Sequence, residues 1–274
     1  MNWGGNWAVE AATMVRYNIV VNNARWSTDA NGASESATLI LNTNSNSYFY
    51  NNVFYNDKAR AINIRSGGLD HAAFVNNVFW TNADTVLDLS NWKTNDSDGK
   101  NVAYFDHNAY YNHAGVITNG ATDYNSKLGK SFADDNAIIP SSDPFGLTEG
   151  AAAVPGGAGT NENRAGQGYT GIITSANVGS DNIQNRIKDN ASYFKIDSSS
   201  VLYREGRPVT KKEVDDFIWG KNQNIPSAAP HASTVQRGDP DTFNKNGGRD
   251  FFGNLLPNPE TPGSAPPSIG AHNP

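Results

Sequence analysis

"FYNNVFYND", residues 49–57, sets two adjacent asparagines inside a run of aromatic and β-branched residues. The pattern returns in "FVNNVFWTN" (74–82), "VRYNIVVNN" (15–23) and "FDHNAYYNH" (105–113). The four pieces align on Asn18, Asn52, Asn77 and Asn108, at intervals of 34, 25 and 31 residues. A period of that size marks a solenoid, propeller or array. After each anchor come two large apolar residues, then turn residues, then a second apolar run. Examples of the second run are Ala61–Ile64 and Val86–Leu89. Strands of three to five residues, with no helical period between residues 14 and 118, predict an all-β fold. The repeat length predicts coils of two or three parallel strands, stacked as a parallel β-helix. Asparagine tolerates the left-handed backbone of a tight corner better than other non-glycine residues. The anchors therefore read as a stacked scaffold ladder.

Composition bounds the function. The 274 residues carry 27 acids and 21 bases, a formal net charge of −6. Mean hydropathy is −0.58 and only 18% of residues are charged, so polarity comes from Asn, Ser, Thr and Gly. An acidic chain offers no broad basic footprint for nucleic acid. The absence of cysteine removes disulfides, zinc thiolates and thiol nucleophiles. The first fifteen residues hold no Lys or Arg and no apolar run, and do not read as a signal peptide. No apolar stretch approaches the roughly 20 residues of a membrane span. Met1 stands directly before the repeat, so the chain reads as a module cut from a longer one.

The repeat resembles the right-handed parallel β-helix proteins of the pectate-lyase-like superfamily. Three later segments are similar to that group's C-terminal coils: "DNAIIPSSDPF" (135–145), "YFKIDSSSVLYREGRPV" (193–209), and "DFFGNLLP" (250–257) with "PPSIGAHNP" (266–274). In the second, Val201-Leu202 stands where Pro-Ala is common. The resemblance implies one domain over residues 1–274, with regular coils in 1–145 and C-terminal coils with long loops in 146–274. It also implies a secreted or cell-surface bacterial setting and a polysaccharide ligand. It does not choose a reaction, since this fold hosts lyases, hydrolases and binders. The stretch 146–180, rich in Gly, Ala, Thr and Pro, reads as a loop laid along the coils. "VTKKEVDDFIWG" (209–220) predicts a short surface helix. Thr210 and Glu213 form its capping box, and Val214, Phe217 and Ile218 its apolar face.

Strand alternation sends neighbouring columns to opposite faces. The columns after the anchors are Val20, Phe54, Phe79, Tyr110 and Val21, Tyr55, Trp80, Tyr111. Phe fills cores without a hydrogen bond, whereas Tyr and Trp carry polar tips. The expectation is therefore that Tyr55, Trp80 and Tyr111 face outward as a platform for sugar rings, unless a loop such as 146–180 covers them. Trp26 and Trp92, near turns, are added as candidate sugar contacts. The columns before the anchors read Arg16, Tyr50, Val75, Asp106 and Tyr17, Asn51, Asn76, His107. Neither is a cluster of acids, so no calcium site is visible and no cofactor is expected. For a hydrolase the candidate carboxylates are Glu10, Asp70, Asp88 and Asp106. The Asp70-His71 and Asp106-His107 pairs stand just before repeat strands, and Asp70, Asp88, Asp106 and His107 are the acid–base set of the enzymatic reading. "NRIKDN" (185–190) resembles a polygalacturonase motif without that family's accompanying Asp-Asp and His-Gly. The leading expectation is a non-catalytic carbohydrate-binding module for a plant cell-wall polysaccharide such as xylan. It is similar in architecture to the β-helical xylan-binding modules joined to xylanases, and implies a covalently linked catalytic domain. The alternatives are a polysaccharide lyase or glycoside hydrolase acting on xylan or pectin, and a structural or adhesive β-helix.

Overall fold

A computed structural model describes residues 2–3, 13–21, 37–41, 47–56, 60–64, 71–81, 87–88, 102–112, 134, 136–146, 191–215, 217, 248–259 and 261–274. The chain is all-β in character. Its strands are β1 (Asn2–Trp3), β2 (Thr13–Arg16), β3 (Ile19–Val21), β4 (Ala37–Leu41), β5 (Ser47–Tyr50), β6 (Val53–Asn56), β7 (Arg60–Ile64), β8 (His71–Val75), β9 (Val78–Thr81), β10 (Leu87–Asp88), β11 (Val102–Asp106) and β12 (Ala109–Asn112). They form three parallel four-stranded sheets, ordered β1-β4-β7-β10, β11-β8-β5-β2 and β12-β9-β6-β3. The chain visits the three sheets in strict rotation, so each repeat contributes one strand to each. Register keeps equivalent residues side by side: Val53 pairs with Val78, and Val78 with Ala109.

The anchors make the ladder expected of them. The backbone and side-chain N–H groups of Asn18 both donate to Asn52 Oδ1, those of Asn52 to Asn77 Oδ1, and those of Asn77 to Asn108 Oδ1, all at 2.9–3.2 Å. Asn108 gives both of its donors to Asp134 Oδ2, at 2.9 and 3.2 Å, where Tyr110 Oη also donates. The left-handed corner is one residue earlier. Tyr17, Asn51, Asn76 and His107 have φ of 50°, 53°, 56° and 54°. The two jobs that the sequence reading gave to one column thus belong to two neighbouring columns.

One face of the second and third sheets carries stacked phenylalanines. Phe49, Phe74 and Phe105 stack at 4.9 and 4.7 Å, and Phe54 and Phe79 at 5.5 Å, with Tyr110 next at 5.4 Å. Phe74 meets Phe79 edge-on at 6.3 Å, joining the two stacks. The opposite faces are buried too, as is usual for parallel sheets. Val53, Tyr55, Val78 and Trp80 pack against Phe194, Ile196, Leu202, Ile269 and Ala271. Tyr48, Tyr50, Ala73 and Val75 pack against Val209 and Val214, with Met14, Tyr17 and Phe217 at the margin. The C-terminal segments therefore form an outer layer over two sheets. The corner asparagines fasten it: Asn51 Nδ2 donates to Ser268 O at 2.8 Å, and Asn76 Nδ2 to Arg207 O at 2.7 Å.

The expected helix is present as α1 (Lys211–Asp215), capped by Thr210 Oγ1, which accepts from Glu213 N at 3.1 Å. The Glu213 carboxylate is turned to Arg207 and Tyr48 rather than back to Thr210. Ile218, and the body of 146–180 beyond Gly146, lie outside the described residues.

Candidate functional site

The face of the second sheet that carries Tyr48 and Tyr50 also carries Arg16 at one edge and Asp106 at the other, because Arg16 pairs with Tyr50, Tyr50 with Val75, and Val75 with Asp106. Three strand spacings put the two ends about 14 Å apart. Each end holds a distinct arrangement.

At the Arg16 end, a cavity of about 340 Å³ opens between the sheet and the C-terminal layer. Arg16, Tyr17, Tyr50 and Asn51 line its floor, and Leu255 and Asn258 its cover. Arg16 Nη1 donates to Tyr50 Oη at 3.1 Å. The Tyr17 and Tyr50 rings meet edge to face at 5.9 Å. Burial pushes the Tyr50 phenol up to about 12, although Arg16 pulls the other way. Burial, followed by Tyr50, also raises the Tyr17 phenol. Both hydroxyls stay protonated at neutral pH, and that of Tyr50 donates to Met14 Sδ at 3.8 Å.

At the other end, Asp106 gathers donors. Tyr104 Oη donates to Oδ2 at 2.8 Å, Asn136 Nδ2 to Oδ1 at 2.8 Å, and His107 Nδ1 lies 2.7 Å from Oδ1. Arg207 Nε donates to Oδ2, and its Nη1 and Nη2 reach both oxygens of Glu213. Tyr48 Oη donates to Glu213 Oε1. Burial acts to raise the Asp106 carboxyl, but the hydrogen bonds from Asn136, Tyr104 and His107 outweigh it and hold it below its ordinary value. Burial and the bond to Asp106 bring the Tyr104 phenol to about 12, so it is a donor and not a ready base. One guanidinium joins Asp106 and Glu213. An ionised Asp106 in that setting is poorly suited to be a general acid. His107 is different: with Nδ1–H on Asp106, its Nε2 becomes a proton acceptor, the arrangement in which a carboxylate orients a histidine base.

A left-handed backbone costs a non-glycine residue about 1–2 kcal/mol, less for Asn than for others. Of the four corner positions, the two that are not Asn are Tyr17, in the cavity, and His107, on Asp106. Strain held at those two positions draws attention to both ends of the face.

The expected sugar platform does not form. Tyr55 and Trp80 do lie on the face opposite the phenylalanine stack, but they are 0% and 1% exposed. Their rings stack at 4.2 Å beneath Phe194 and the 269–271 tail. The polar tips misled the assignment: a face outside the phenylalanine stack is not outside the protein when a second apolar layer covers it. Tyr111 is half-buried, 5.8 Å from Trp80. Trp26, Trp92, Asp70, Glu10 and the 185–190 motif lie outside the described residues, as does the side chain of Asp88. Asp106 and His107 come together as their adjacency suggested. Arg207, Glu213, Tyr48 and Tyr104 were not anticipated around them. Arg16 and Tyr50 stand at the same register position as Asp106, and that shared column is their signal in the sequence. Among the described residues, no three His, Asp or Glu side chains are grouped to hold a metal ion.

Comparison with protein families, with curated proteins and with solved structures finds no match to this chain.

Proposed function

We propose that the three sheets close into a right-handed parallel β-helix with long C-terminal loops, and that the chain is a non-catalytic carbohydrate-binding module. Its ligand is a plant cell-wall polysaccharide such as xylan, and it serves a catalytic domain within a longer secreted protein. The cavity at Arg16 carries this reading. Its volume of about 340 Å³ falls within the roughly 300–1,000 Å³ of small-ligand sites. The half-buried Tyr17 and the exposed Leu255 supply apolar contact for a pyranose ring, and Arg16 and Asn258 supply hydrogen bonds to its hydroxyls. A few such contacts support affinity of about 10–100 µM.

The Asp106–His107 pair favours a second reading, a polysaccharide lyase in which His107 takes the proton. One panel separates the two. Arabinoxylan, glucuronoxylan, pectin, alginate and β-glucan are run in affinity gels and assayed in parallel for absorbance at 235 nm and for reducing ends. Retention without product supports the binding module. Product that disappears in His107→Asn supports the lyase. Neither retention nor product removes both.

A further inference from the structure

The outer layer contains a side chain whose hydrogen bond depends on its own protonation state. His272, in the tail, is 8% exposed. The backbone N–H of Ile196 donates to its Nδ1 at 2.9 Å. An imidazole nitrogen accepts only while it carries no proton, so the ring is neutral here and its one proton sits on Nε2. The Phe252 ring meets the imidazole edge to face at 4.8 Å, and Lys195 Nζ lies over that same Phe252 ring, 5.1 Å from its centroid. Burial holds the imidazole below its ordinary value. Two charged groups among the described residues also act on it: Asp250 favours the protonated ring and Lys195 opposes it. The Asp250 carboxylate is already held by four donors, the backbone N–H groups of Phe252, Asn254 and Asn273 and the Asn254 Nδ2, at 2.7–2.9 Å. It is committed to its own turn.

This bond joins two parts of the layer. Phe194, Ile196 and Leu202 pack with Tyr55 and Trp80, and Ile269 and Ala271 of the tail enter the same cluster. The tail is also tied by bonds that do not titrate: Ile269 N to Leu202 O and Gly270 N to Asn76 O, both at 2.9 Å, and Phe251 N to Ala271 O at 3.2 Å. A second proton on the ring turns Nδ1 into a donor that faces another donor at 2.9 Å. The two must then part. Ile196 is 7% exposed, so its N–H is left inside the protein without that acceptor. With the folded value lowered, the stability that the contact adds is full above about pH 6.5 and is lost as pH falls through the folded value.

We infer that His272 is an acid-sensitive latch: its protonation breaks the contact with Ile196 and loosens segments 191–202 and 266–274 from each other, while the three sheets stay intact. The latch operates whatever the cavity binds. The test is hydrogen exchange of the whole chain, followed by mass spectrometry at about pH 7.5 and about pH 5 and corrected for the intrinsic pH dependence of exchange. The expected result at the lower pH is about a 10-fold loss of protection in 191–202 and 266–274, the order of one lost hydrogen bond, with no loss in β5, β6, β8 and β9. His272→Asn keeps an acceptor near the Nδ1 position and cannot gain a proton, so its outer layer should be equally protected at both pH values. Wild-type protection that does not change with pH overturns the latch. A loss that persists in His272→Asn belongs to another group and overturns the role of His272. A loss that spreads equally to the strands overturns local opening. The coupling is also read on the unaltered chain by NMR, where the His272 ring and the Ile196 amide should titrate with one shared midpoint. Separate midpoints overturn it, even where the variant fails to fold.

Discussion

Arg207 Nε donates to the Asp106 carboxylate, tying the C-terminal layer to strand β11 across 101 residues of chain. The same guanidinium is the partner of Glu213 at the start of α1. Removing Arg207 leaves the Asp106 carboxylate buried and without its cation. Arg207→Met is expected to cost about 3 kcal/mol in chemical denaturation. Because Arg207 also accepts from Asn76 through its backbone, which the substitution keeps, the outer layer should stay seated in the absence of denaturant. Unchanged stability would show that the cluster is only a surface arrangement.

Two buried aspartates should give opposite pH signatures. Asp106 has its carboxyl held below the ordinary value, so the stability it contributes is present above about pH 3.9 and is lost as pH falls through its folded value. Burial raises the Asp134 carboxyl. Its folded form binds the proton more tightly, so its contribution declines as pH rises from about 3.9 through the raised value. Melting curves of Asp106→Asn and Asp134→Asn against the parent, between pH 3 and 7, should diverge with opposite slopes. Slopes of the same sign would contradict the assigned environments.

Trp80 separates core from platform. Trp80→Ala is expected to cost about 3–5 kcal/mol, because the ring is buried against Tyr55 and the C-terminal layer. Glycan affinity of the fraction that remains folded should be unchanged. A stable variant that no longer binds would restore the stacking platform.

Gly270 has φ of 92°, and a Cβ there would stand 3.0 Å from Val78 Cγ2 and 3.4 Å from Val53 Cγ2. Gly270→Ala is expected to cost about 2 kcal/mol from backbone and contact together. Limited proteolysis should then cut within 261–274 before the strands are touched. Protection equal to the parent's would mean that the tail gives way without loss.

The repeat was legible because stacking imposes a rule at every repeat: an anchor Asn must accept from one neighbour and donate to the next, so the same residue recurs at Asn18, Asn52, Asn77 and Asn108. Short parallel strands, the helix at Lys211 and the layering of Phe54 and Phe79 followed from alternation and capping. The outer layer was harder to place. Whether Trp80 is wet depends on Phe194 and Ile269, more than a hundred residues away, and no local period encodes that contact. The role of the tail was not readable: Ile269 and Ala271 enter the core while Gly270 allows the backbone to lie on Val53 and Val78. Arg207 was unreadable for a related reason. Its partners, Asp106, Tyr48 and Glu213, lie on three separate parts of the chain.

The asparagine ladder also has a direction. Every side-chain amide donates toward the anchor of the next repeat, so the dipoles add, and their positive ends point at Asp134. An asparagine at the last position would bring N–H groups needing an acceptor still further on, whereas an aspartate brings acceptors only. Asp134 therefore works as a stop. Duplication of a repeat between Asn18 and Asn108 lengthens the stack without disturbing its logic. A repeat added after Asp134 would meet a carboxylate with nothing to donate. Growth of this protein by repetition is open in the middle and closed at that end, unless Asp134 first becomes asparagine.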